Sequence, residues 1–305
     1  KGKLKLYKAL GTFEDKTVAD MKNGGVGASS FSTVSDFHVL GLGDAGLHTV
    51  RAFEPGEAWK SFNRQYKNMM ALEKKDLVKF VKNEGELIAA NSEGRIAAIL
   101  TAEGSDFLEG KPERVAEVAQ KGLQSITIMH YRTNEIGDIM TQSPVHGGLT
   151  EIGKSVIRAM NEHHVLVDLA HASEATAFGV LKASIVPVMC SHTHILGKSV
   201  PQIPRFISLD LAKAITGEGG IIGAWPAGIG IEDLSGYIDR IFELIEAVGI
   251  DHVAMGTDMD ANYKPVFERY TKMPLLIAGL RQRGMGDEDM VKFVRGNFLR
   301  VWGTA

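Results

Sequence analysis

The chain has 305 residues, is 44% hydrophobic and carries a net charge of −3, so it can bury a large core. No basic block marks nucleic acid or an anionic membrane surface as a partner. One cysteine, Cys190, excludes an internal disulfide framework and cysteine-rich zinc modules. No apolar stretch approaches the ~18 residues of a membrane helix, and no basic-then-apolar leader opens the sequence; a small-molecule substrate is the expectation.

In chain order, seven apolar, β-branched runs alternate with segments of helical period. Residues 24–34 form the first run, and 56–83 follow with Trp59, Phe62, Tyr66, Met69, Met70, Leu77, Val78 and Val81 at spacings of three and four, as one long helix or two short ones. The run 95–103 precedes a helical segment 112–121, and the run 124–130 precedes 150–163. That helix opens on a capping pair and places Ile152, Val156, Ile157 and Met160 on one face. Runs 165–171, 186–192, 219–225 and 252–258 alternate with helical segments 173–183, 210–216 and 233–248, and helices over 274–283 and 287–298 close the chain.

Continuous apolar runs are the mark of parallel strands buried on both faces, and their alternation with helices is the mark of a parallel α/β architecture. Neither solenoid repeats nor low-complexity linkers interrupt it, so residues 1–305 are expected to be one domain, a single (β/α)8 TIM-type barrel. Closure normally takes eight strands, and seven are visible. Residues 1–6 (KGKLKL) are too polar for a buried strand, so the first strand is expected upstream of residue 1 or in an atypical form.

Five of the runs end in a residue able to do chemistry: Glu103, His130, His171, His192 and Asp258. Barrel enzymes place catalytic side chains at the C-terminal ends of several strands. A strand-end His taken alone is more often a hydrogen-bonded core residue. Two on consecutive strands, with Glu103 at the end of a third apolar run, favour a shared metal, because an unpaired buried carboxylate is costly and neutral imidazoles are common transition-metal ligands. His130 can be read as a ligand or as a group that polarises a carbonyl. Asp258 faces the same mouth; the plainer reading, a turn or cap aspartate, suits Asp260 better. His194 is a decoy beside His192, the remaining histidines read as structural or solvated, and Cys190 reads as a small buried hydrophobe. The glycine-rich pieces at 41–46 and 228–230 do not join a strand to a helix in dinucleotide-binding fashion.

Eight ordered segments carry a resemblance: GGVGA (24–28), AEG (102–104), TIMH (127–130), GGLTEIGKSVIRAMN (147–161), VLVDLAHAS (165–173), PVMCSH (187–192), GTDMD (256–260) and GNFLRVW (296–302). In these the chain resembles the membrane (renal) dipeptidases of the amidohydrolase superfamily, from residue 24 to residue 302. The resemblance implies a zinc-dependent hydrolase that attacks a dipeptide or related small amide with metal-activated water. It implies that Glu103 bridges two Zn2+ ions, that His171 and His192 complete the second site, and that Asp258 belongs with the first ion and handles the proton. It further implies that His130 polarises the scissile carbonyl and that Arg205 pairs with the substrate carboxylate. The family's first strand ends in His-x-Asp, which supplies two ligands to the first zinc, and that motif is missing from residues 1–305. One ion or two can therefore be expected, with the Glu103/His171/His192 site the tighter. The segments EGSDFLEG and MHYRTNEIGD are similar to a bacterial, often exported branch, and a homodimer remains open. Other hydrolases of the superfamily, acting on a lactone, an N-acyl amino acid or a β-lactam, and a catalytically weak accessory protein on the same fold, are the rival readings.

Overall fold

The structure, a computed structural model, describes residues 13–43, 46–197, 204–259 and 263–305. Residues 1–6, too polar for a buried strand, and Asp260 lie outside the described residues.

Each of the seven runs contains a strand. These are β1 (Ala28–Val34), β5 (Ile96–Glu103), β6 (Ser125–Thr127), β7 (Leu166–Asp168), β8 (Met189–Thr193), β9 (Ile221–Ala224) and β10 (Val253–Met255). They pair side by side, all parallel, in the order β1-β5-β6-β7-β8-β9-β10. Every residue of β5 is buried, as its unbroken apolar run requires of a strand covered on both faces. Helix α1 (Phe13–Asn23) precedes the strands, and α2 (Glu57–Lys74), α3 (Glu84–Ser92), α4 (Arg114–Gln120), α5 (Glu151–Glu162), α6 (Glu174–Ala183), α7 (Leu209–Gly217), α8 (Leu234–Val248) and α9 (Met273–Gln282) fall between or after them. The chain closes on α10 (Asp287–Val291) and α11 (Asn297–Trp302), joined by a π-helical turn over Lys292–Gly296. This is an α/β fold with a curled parallel sheet, consistent with a TIM-type barrel.

Three local features depart from the sequence reading. The helix read over 56–83 ends at Lys74, where Asp76 takes a left-handed φ of 57°. Val78–Phe80 then forms a further parallel strand, β4, paired with Ile96–Ala98 of β5. The spacing of Leu77, Val78 and Val81 therefore arises from burial beside the sheet and not from a helix face. The glycine-rich piece at 41–46 contributes to a two-stranded antiparallel hairpin, β2 (Leu40–Gly43) and β3 (Gly46–Thr49). On α5, Val156, Ile157 and Met160 are buried as expected, whereas Ile152 lies outside that stripe and is 43% exposed.

Two strands limit the sheet. Among the described residues β1 pairs only with β5, and β10 only with β9. A cavity of about 1490 Å³ reaches both edges, lined by Ser29 and Phe31 from β1 and by Ala254 and Met255 from β10, and extends to Glu103, His192 and Asp258.

Candidate metal centre

Glu103, His130, His171, His192 and Asp258 lie at or just beyond the C-terminal ends of their strands. Glu103 is the last residue of β5 and His192 lies in β8. His130 and His171 follow β6 and β7 by three residues, and Asp258 follows β10 by three. Glu103 Oε1 lies 3.1 Å from His171 Nε2 and 3.5 Å from His192 Nε2, and the two imidazole nitrogens are 3.0 Å apart. The three are buried, and their potential ligand atoms lie within 4.8 Å of one another. Two imidazole nitrogens and a carboxylate oxygen are a donor set that zinc accepts.

The electrostatics agree with that use. Burial, with the nearby Arg205 charge, lowers the pKa of His171 well below the ordinary imidazole value, and burial lowers that of His192 likewise. Both rings are therefore neutral, the form that binds a metal. Burial opposes the charge on Glu103, but the facing positive charges, His130 and Arg205 among them, outweigh it and lower the carboxyl pKa.

His130 sits at the edge of this group, its Nε2 3.7 Å from Glu103 Oε2. Its Nδ1 meets Asp36 Oδ1 at 2.6 Å, and Asp36 also accepts from the Tyr131 N–H. Burial alone would depress the His130 pKa, but the Glu103 and Asp36 carboxylates raise it to about 9. Asp258 is outside the three-ligand group; its Oδ2 accepts from Trp225 Nε1 at 3.2 Å. Burial, then repulsion from Glu103, raise its pKa to about 7.

Arg205, in the loop before α7, is buried and enters the centre from the side. Its guanidinium lies 3.2 Å from His171 Nε2 and over the Trp225 ring at 5.0 Å. His194 turns away to Glu243 Oε2, 3.0 Å off, and has no part in the centre. Cys190 is buried, and burial pushes its thiol pKa up.

Four residues of this neighbourhood escaped the sequence reading: Asp36, Asp168, Ser191 and Trp225. Trp225 ends the sixth run, which marked its position but not its contacts. Asp168 and Ser191 lie three and one residues before the histidines of their strands. Asp36 is 94 residues from its partner His130, and nothing in the local sequence announces it.

The curled parallel α/β sheet thus gathers carboxylates and imidazoles at the C-terminal ends of its strands. Residues 12–305 match the model of the membrane dipeptidase family, peptidase family M19, and the chain belongs to that family. It is 30% identical to the dipeptidase verJ of Clonostachys rogersoniana over 233 residues, 74% of this chain and 60% of that protein. It is also 30% identical to the dipeptidase aclJ of Aspergillus oryzae over 223 residues, 70% of this chain and 52% of that one. The chain thus spans about half to three fifths of the length of these curated relatives.

Among solved structures, a metallopeptidase from Rhodobacter sphaeroides liganded with a phosphinate mimic of the dipeptide L-Ala-D-Ala superposes with a TM-score of 0.84 at 19% identity. That match covers 99% of this chain and 96% of the other. The probable dipeptidase PvdM from Pseudomonas aeruginosa gives 0.80 at 18% identity, over 94% and 88%. At these identities the likeness speaks for the fold.

Proposed function

We propose that this chain is a zinc-dependent dipeptidase, and that Glu103, His171 and His192 hold one Zn2+ at the mouth of the strands. The observation that carries the reading is the convergence of two buried neutral imidazoles on one buried carboxylate in a chain of the membrane dipeptidase family. When bound, the ion would supply Lewis acidity, lowering the pKa of a water to about 7 and polarising the substrate carbonyl.

The remaining groups divide the work. Asp258, with a pKa near 7, is matched to accept a proton from water and return it to the leaving amine near neutral pH. His130, anchored through Nδ1 by Asp36, presents its Nε2 side to the centre and would donate to the carbonyl oxygen as negative charge develops there. Arg205 offers a planar guanidinium to the terminal carboxylate of a dipeptide. The sheet edges at β1 and β10, which both line the one cavity, further support a (β/α)8 barrel.

The test is a panel of dipeptides, with a lactone, an N-acyl amino acid and a β-lactam alongside, assayed with zinc supplied. Hydrolysis of dipeptides above the others is expected. Turnover of another class alone would reassign the substrate, and turnover of none would favour an accessory protein.

A further inference from the structure

Asp168, at the end of β7, is buried and is met by four donors. Thr127 Oγ1 and Ser191 Oγ each donate to its Oδ2 at 2.6 Å, and the backbone N–H groups of Ser191 and Ala170 donate to its Oδ1 at 2.8 and 3.0 Å. A carboxylate accepts four such bonds with no acceptor needed in return, which is the pattern of the charged form. The same Ser191 Oγ lies 2.9 Å from His192 Nδ1.

Burial raises the Asp168 pKa against these four donors; with the carboxylate ionised, the proton arithmetic along this line has one solution. A hydroxyl has a single hydrogen, and the shorter, charge-assisted bond to Asp168 takes it. Ser191 Oγ can then only accept from His192, so Nδ1 must carry the hydrogen of the ring. A neutral imidazole has one N–H, which leaves the lone pair on Nε2, the atom that faces Glu103 and His171.

The serine itself is held in place. A Cβ at Gly223 of β9, or at Gly256 beyond β10, would come within 1.8 or 1.9 Å of the Ser191 carbonyl oxygen, so both neighbours have to be glycine for Ser191 to sit there. His171 contrasts with this: its Nδ1 is buried and has no hydrogen-bond partner among the described residues.

We infer that Asp168 and Ser191 form a relay that fixes His192 in its Nδ1–H tautomer and thereby aims a bare Nε2 at the metal centre. Asp168 and Ser191 are positioning residues, and the inference rests on the metal-site reading above. Of the two histidines, His192 is the one held ready before any ion arrives; the other partners of a ligand histidine commonly set its tautomer and basicity.

The experiment uses the intact chain, stripped of metal, with zinc as the probe in competition against a chelating indicator. Ser191→Ala should weaken zinc binding by roughly 10- to 100-fold with an unaltered circular dichroism spectrum, and Ser191→Thr, which restores the hydroxyl, should recover most of it. Long-range 15N–1H NMR of the metal-free wild type should place the His192 proton on Nδ1, and Ser191→Ala should show a mixture of tautomers. Unchanged zinc affinity in folded Ser191→Ala, or a wild-type His192 proton on Nε2, would overturn the relay. A wild type that takes up no zinc overturns the metal-site reading instead, and overturns the relay only if the His192 proton is also on Nε2.

Discussion

His171 and Asp258 both adopt left-handed backbone conformations, with φ of 68° and 49°. For residues with a Cβ this conformation costs about 1–2 kcal/mol, and such strain concentrates at functional sites. At Asp258 it also makes the informative substitution a clean one, because Asn tolerates the left-handed region well. Asp258→Asn should keep the fold and the zinc bound by Glu103, His171 and His192. Dipeptide hydrolysis should fall by at least about a hundredfold, the scale of general acid–base catalysis; a variant as active as the wild type would remove Asp258 from the proton path. Arg205→Ala should act on binding, raising KM with a smaller fall in kcat, and a collapse of kcat at constant KM would place Arg205 in the bond-breaking step.

His130 gives a prediction on pH. Its folded-state pKa, about 9, lies above its unfolded value, so its protonation stabilises the folded chain fully below about pH 6.5. That contribution, at most about 3.5 kcal/mol on the scale of about 1.4 kcal/mol per unit, is lost as pH rises through 9. Melting temperatures of the metal-free protein should fall between pH 6.5 and 10, and Asp36→Asn, which removes one of the two carboxylates responsible, should flatten that slope. A slope identical in both proteins would show that Asp36 does not hold the proton.

At the scale of elements, the centre depends on close contact between strands. The Ser191 carbonyl occupies the space of a missing Cβ at Gly223, and β8 and β9 pair with an irregular register between Cys190 and Thr193, the stretch that carries Ser191 and His192. Gly223→Ala should therefore cost about 1–3 kcal/mol, as overpacking does, and should loosen zinc by displacing His192. Chemical denaturation and zinc competition on the same sample would check both effects; normal zinc affinity in a destabilised variant would separate packing from the site. Phe62 of α2 gives the comparison away from the centre. Its ring stacks on Phe107 at a centroid distance of 4.5 Å and is fully buried, so Phe62→Ala should lose about 3–5 kcal/mol without altering zinc affinity.

For the whole molecule, a ligand that binds only the folded chain stabilises it by mass action. Zinc at a hundred times its Kd should add about 2.7 kcal/mol, and Glu103→Gln or His192→Ala should abolish the zinc-dependent part of the melting shift. No helix among the described residues is long and apolar enough to cross a membrane.

By itself the sequence determined the parallel strands, the helices between them and the strand-end residues Glu103, His130, His171, His192 and Asp258. Burial on both faces leaves an unbroken apolar run, and a strand end is where the run meets its first chemistry-bearing residue. The short β4 and the β2–β3 hairpin were not legible, since three or four residues are too few for a period to separate strand from helix. Only the tertiary structure decided what surrounds the centre: Asp36 against His130, Trp225 between Asp258 and Arg205, and the Asp168–Ser191 line to His192. These are contacts between side chains carried by different strands or by the loops just after them, 94, 33 and 23 residues apart for Asp36–His130, Trp225–Asp258 and Asp168–Ser191. Their geometry is set by the curl and register of the sheet and leaves no local pattern, because hydrogen bonding across strands constrains where two groups meet and not how far apart they lie in the chain.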